Sequence, residues 1–160
     1  MYKSQADAVK EWLQAYLKGV KKVDDMLERL RTIQARMKSV GAQELSDMPR
    51  PPSAPKDRMA EYVVQCESLE LAIKKESNEL ELCRQNIMDL TGQLKKPEAR
   101  DMIRYRYLYG YEWSEIMKKL YSDRKDLAEK ENAYRRKMYR LHESALKEMA
   151  KLWNKSEKSS

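Results

Sequence analysis

The run YRRKMYR, residues 134–140, puts Arg135, Arg136, Lys137, Tyr139 and Arg140 within one short stretch. An Arg guanidinium can donate bidentately to guanine or clamp a phosphate, and a Tyr can touch phosphate or a thymine methyl. The chemistry on offer is recognition of a polyanion, and of duplex DNA in particular. A second basic pair, Arg124 and Lys125, precedes it, and the whole interval sets these cations and Lys130 against Asp126, Glu129 and Glu131. If Met138 and Leu141 turn inward on a helix, Arg135, Arg136, Tyr139 and Arg140 largely point elsewhere. The same run also describes an ordinary solvated face, so its meaning depends on the elements around it.

Other chemistries find less to work with. His142 is the single His of the chain. A lone His cannot make a metal site, and no Ser or Cys is placed to form a triad with it. Its expected role is packing on a helix face or a phosphate contact. Cys66 and Cys83 lie far apart with no CxxC spacing, which points to neither a disulfide framework nor a zinc site. No Gly-rich phosphate loop and no paired-carboxylate motif stands out. The sequence therefore predicts no catalytic residue, no metal, no cofactor and no enzymatic activity.

The elements that must position the basic run are helical. Val9, Leu13, Tyr16, Val20, Val23, Leu27 and Leu30 alternate by four and three, a heptad seam on a helix over about 4–40, with Gly41 as its stop. Four prolines between Pro49 and Pro55 rule out a regular helix there, which makes 41–56 a linker. A second helix begins near Asp57. Its seam is Met59, Tyr62, Cys66, Leu69, Ile73, Leu80, Cys83, Ile87, Leu90 and Leu94, interrupted at Glu76, and it makes both cysteines small buried hydrophobes. Pro97 opens a third helix that Gly110 ends. Trp113, Ile116, Met117 and Leu120 then line one face of a short helix. After a turn at 121–123 the chain reads as helix to about Trp153, with Tyr134, Met138, Leu141, Ala145, Met149 and Leu152 on its inner face and a frayed polar tail from 154 to 160.

Composition agrees. Charged residues are 37% of the 160, there are four Gly and five Pro, and Phe is absent. This is the make-up of long solvated helices, and the expected fold is all-α: a long antiparallel, coiled-coil-like hairpin over 1–94, then a helix-turn-helix over 95–153. A net charge of +7 favours an anionic partner. No run has the apolar core of a signal peptide or the roughly 18 apolar residues of a membrane span, which predicts a cytoplasmic protein without a membrane partner. Two helices cannot bury two full seams alone. Pairing with a second copy, as a homodimer, is the expected completion, and packing on the C-terminal part is the alternative.

A helix, a Gly turn, a short helix, a turn and a basic helix are the ordered parts of a helix-turn-helix, whose second helix enters the major groove. The stretches IRYRYLYGYEWSEIMKKLYS and YRLHESALKEMAKL resemble the helix-turn-helix of phage regulators of the ArpU/RinA type, which are similar to the fourth, promoter-reading region of bacterial sigma factors. The matching positions are Arg106-Tyr107, Gly110, Trp113, Glu115-Ile116, Leu120, Tyr121-Ser122, Arg140, His142 and Ala145-Leu146. MPRPPSAPKDRMAEYV also resembles the linker and second-helix start of phage members. The resemblance implies sequence-specific binding of double-stranded DNA in the transcription of phage or prophage genes, inside a bacterial host and with its RNA polymerase as a further partner. The chain departs from the pattern in three places. Glu112 stands where a Ser or Thr N-cap is usual. Met117 replaces a small Ala. About ten extra residues, around DRKDLAEKENA, separate Tyr121-Ser122 from Arg140.

That extra stretch either lengthens the reading helix at its start or forms an inserted loop. Arg124 and Lys125, or Arg135 and Arg136, would accordingly meet the bases. The second pair is preferred because it adjoins the matched Arg140. The DNA-binding candidates are Ser114, Ser122, Arg124, Lys125, Arg135, Arg136, Lys137, Tyr139 and Arg140. Two other readings compete: a small terminase-like DNA-packaging subunit, and a non-catalytic helical adaptor that binds protein only.

Overall fold

The computed structural model describes residues 4–44 and 55–159. The chain is all-α. The described residues form α1 (Gln5–Glu44), α2 (Pro55–Gly92), α3 (Pro97–Tyr107), α4 (Trp113–Leu120) and α5 (Glu131–Ser159), with no strand among them.

Four boundaries differ from expectation. α1 passes through Gly41 to Glu44. A helical Gly costs about 1 kcal/mol relative to Ala, which is a weakening and not a stop, and Ala, Gln and Glu follow it. α2 starts at Pro55, where a Pro at the first position loses no hydrogen bond. The expected linker is thus trimmed at both ends, and its remainder, 45–54, lies outside the described residues. α5 begins at Glu131, well after the turn at 121–123, and does not fray at Trp153 but runs to Ser159. Neither Gly nor Pro interrupts 154–159, the Trp153 indole donates to Glu157 Oε1 at 2.7 Å, and Asn154 Nδ2 donates to Gln5 Oε1 at 2.7 Å.

The chain divides into two compact units, one of residues 1–18 and 81–160 and the other of residues 19–80. The division does not fall at the expected boundary after residue 94. Residues 1–18 and 81–94 group with α3, α4 and α5, because their apolar seam is buried there: Leu13 and Ile87 are fully buried and Leu94 nearly so, alongside Met102, Ile103, Ile116, Met138 and Met149. Each such side chain contributes roughly 1.5–3 kcal/mol by leaving water. That outweighs the poor standing of a helix as short as α4, which isolated in water would not form.

In the other unit the segments 19–44 and 55–80 run antiparallel, with Gly19 against Leu80, Lys22 against Glu76 and Met37 against Cys66. The predicted seam faces inward along both. Val23, Ile33, Val40 and Cys66 are buried, and Val20, Leu27, Leu30, Tyr62, Leu69 and Ile73 are half-buried. Leu80 Cδ2 lies only 2.6 Å from where a Cβ on Gly19 would be, so Gly19 permits a close approach that offsets its low helix propensity. Glu76, the break in the seam, takes a hydrogen bond from Lys22 Nζ at 3.1 Å.

Candidate nucleic-acid interface

α3, α4 and α5 carry the candidate site, and α3 packs against both of the others. Pro97 fills the first turn of α3 behind an extended Lys96. Ala99, Met102, Ile103 and Tyr107 form its buried face. Gly110 ends the run with φ +72, a left-handed conformation that other residues rarely take. The chain returns at once into α4, capped by the extended Glu112 without a side-chain cap bond. Arg106 braces this corner: Nη1 donates to the Tyr111 carbonyl at 3.0 Å, and the guanidinium lies 4.8 Å from the centre of the Trp113 ring.

His142 ties the three helices together. The Tyr107 hydroxyl and His142 Nε2 are hydrogen-bonded at 2.7 Å, and Trp113 meets the imidazole edge-on at 4.8 Å. Burial, then the charges of Lys10 and Arg106, pull the imidazole pKa down to about 4, so it is neutral at physiological pH. Burial pushes the Tyr107 phenol up to about 12. Of the two roles expected for His142, packing is the one its surroundings fit, since it is 7% exposed.

The stretch 121–130 is a connection built of turns and not the start of α5. Arg124 N–H donates to the Tyr121 carbonyl and Lys130 N–H to the Asp126 carbonyl. The Tyr134 hydroxyl donates to Asp126 Oδ1 at 2.6 Å, which holds the Asp126 carboxyl below its ordinary range. Tyr121 is fully buried and its ring lies 5.0 Å from that of Tyr134. A buried Tyr at its start and an Asp pinned from α5 at its middle hold the segment in turns despite its helix-forming composition.

The predicted DNA-binding residues fall into distinct places. Ser122, Arg124 and Lys125 are exposed in the connection, ahead of α5, with Arg124 4.0 Å from Asp123. Ser114 is exposed in the first turn of α4. Arg135 is half-buried and donates to Glu131 Oε1 at 3.2 Å. Tyr139 packs its ring edge-to-face with Trp113 at 5.5 Å and stays 41% exposed. Arg136 and Arg140, one turn apart, share the outward face of α5, opposite the buried Met138, His142, Ala145 and Met149, and the exposed Lys137 flanks them with its Nζ 5.4 Å from the centre of the Tyr121 ring.

That outward face extends past the dense cluster. Continuing the spacing from Arg136 and Arg140 leads to Ser144, Lys147 and Lys151, all exposed. From Arg136 to Lys151 the stripe spans roughly 22 Å at about 1.5 Å per residue. No carboxylate of the described residues forms an ion pair with any of its four cations. Sequence reasoning missed Lys147 and Lys151, although the helical period that links Arg136 to Arg140 leads straight to them. Among the described residues no group of three His, Cys, Asp or Glu side chains is placed to hold a metal ion, and no helix is long and apolar enough to cross a membrane.

No protein-family model matches the chain, and no curated protein and no solved structure matches it.

Proposed function

We propose that the protein is a sequence-specific DNA-binding regulator of phage or prophage transcription, of the kind that the ArpU/RinA resemblance implies. The carrying observation is the outward stripe of α5, whose Arg136 and Arg140, engaged by no carboxylate, stand on a helix anchored by a neutral, buried His142. Fixed cations on a rigid helix suit a duplex better than mobile ones, because less side-chain and backbone freedom is given up on binding. Arg136 and Arg140 read base edges or grip phosphate from within the major groove, and Tyr139 with Ser114 contacts the flank. Arg135 is demoted in this reading by its ion pair with Glu131. Arg124, Lys125 and Ser122 act at most on the backbone. A homodimer would present two such helices to a two-fold site. Val64 and Leu71, one heptad apart and open to solvent on α2, offer a second copy an apolar seam. Host RNA polymerase is the further partner, in the cytoplasm of the bacterial host.

The test is selection of bound fragments from phage and random DNA by the purified protein, followed by affinity measurement on the enriched site. Arg136→Ala is expected to weaken the selected site by about 1–3 kcal/mol if Arg136 reads a base. An equal loss on all sequences reassigns Arg136 to phosphate. Failure of the wild-type chain to bind any duplex in dilute salt refutes the reading.

A further inference from the structure

Two adjoining cavities, of about 430 and 270 Å³, open along one side of α5 and share Arg140 and Ser144. Their opposite wall is the corner between α2 and α3, where Lys95 and Lys96 stand. The remaining cations of the groove are Lys137, Lys147 and Lys151. Against these six stand Glu98, Glu143 and Glu148, and none of the three forms an ion pair with any of the six. Glu148 is already engaged, since its Oε1 accepts the Lys95 backbone N–H at 3.1 Å.

The corner is held rigidly. Arg100 Nε donates to the Leu94 carbonyl at 2.7 Å and its Nη2 to the Lys95 carbonyl at 3.5 Å. Leu94 N–H closes a turn onto the Thr91 carbonyl at 3.1 Å, and Lys96 caps α3 in extended conformation before Pro97. The bonds that fix the corner use backbone groups and Arg100, so both lysine ammonium groups remain available. A wall of cations set beside a helix, with a serine hydroxyl between them, is the arrangement that grips successive phosphates of one strand.

We propose that this groove is a phosphodiester track: Lys95 and Lys96 hold the DNA strand that borders α5, while Arg140, Lys147 and Lys151 hold it from the helix side. The proposal rests on α5 being the DNA-reading helix. It adds a sequence-independent clamp that fixes how far the helix rolls in the groove, and it accounts for basic residues that lie past the reading cluster.

The test measures affinity for a random-sequence duplex of about three helical turns against salt concentration. The double variant Lys95→Ala/Lys96→Ala is expected to flatten the slope of log affinity against log salt by roughly 1.8, about 0.9 for each phosphate no longer neutralised. Lys74→Ala/Lys75→Ala, an exposed pair on α2 with the same change in charge, is expected to leave the slope unchanged. An unchanged slope in the corner variant overturns the track, and so does an equal change in the α2 pair, which would make the effect one of net charge. If Arg136→Ala/Arg140→Ala abolishes binding while the corner variant is silent, the α5 reading stands and the track falls. If the wild-type chain binds no duplex at low salt, both fall together.

Discussion

Replacing His142 by Gln should remove an acid sensitivity that the wild-type fold carries. In the folded chain the imidazole sits at about 4, against an ordinary 6.5, because it is buried and faces the charges of Lys10 and Arg106. The folded protein therefore binds the proton less well than the unfolded chain does. The His142 contribution is fully present above pH 6.5 and is lost as pH falls from 6.5 toward 4, where the unfolded chain takes up a proton that the core refuses. Each unit of pKa difference corresponds to about 1.36 kcal/mol, so between pH 7 and pH 5 the loss comes to about 2 kcal/mol. Gln can still hydrogen-bond the Tyr107 hydroxyl but does not titrate. Urea unfolding of both chains at pH 7, 6 and 5 isolates the effect, because every other group titrates in both. The Gln variant should gain about 2 kcal/mol on the wild type over that interval, whatever its offset at pH 7. Parallel stability curves would refute the picture of a neutral, enclosed imidazole.

Three further outcomes follow from the packing. Tyr107→Phe removes one half of the buried bond to His142 and should cost about 1–3 kcal/mol in urea unfolding. Gly110→Ala should cost about 1–2 kcal/mol and Gly110→Asn less, as read by melting temperature. The penalty is one of backbone, because an added Cβ would meet Leu17 Cδ2 at an ordinary 3.7 Å, and equal melting of wild type and Ala would contradict it. Gly19→Ala should yield its helix-propensity gain of about 1 kcal/mol only once Leu80→Ala has cleared the 2.6 Å approach, and a double-mutant cycle showing no coupling would deny the close packing.

What could be read from the sequence was what repeats. The alternating seams of α1 and α2 and the face Trp113, Ile116, Met117 and Leu120 follow from periodicity alone, and they point inward as expected. The Gly110 hinge was legible because one residue type tolerates that conformation. The stretch DRKDLAEKEN was not. It holds good helix formers and lacks Gly and Pro, so local preference says helix, and only the Tyr134–Asp126 bond and the buried Tyr121 turn it aside. Tyr107 and His142 lie 35 residues apart, and nothing in their spacing announces a hydrogen bond. For the candidate interface, the dense arginine cluster was visible, its continuation through Lys147 and Lys151 was available from the helical period, and the Lys95–Lys96 corner arises only when α3 folds beside α5.

The connection 121–130 has a practical consequence. The pose of α5 is set by α3, through the imidazole and phenol, and the stretch between α4 and α5 is fastened at Tyr121 and Asp126, short of Ala128 and Glu129. Ala128 and Glu129 are open to solvent on it. A fluorophore or short epitope grafted at that point would ride next to the arginine-bearing helix without tugging on it, which makes this bend the natural place to install a reporter.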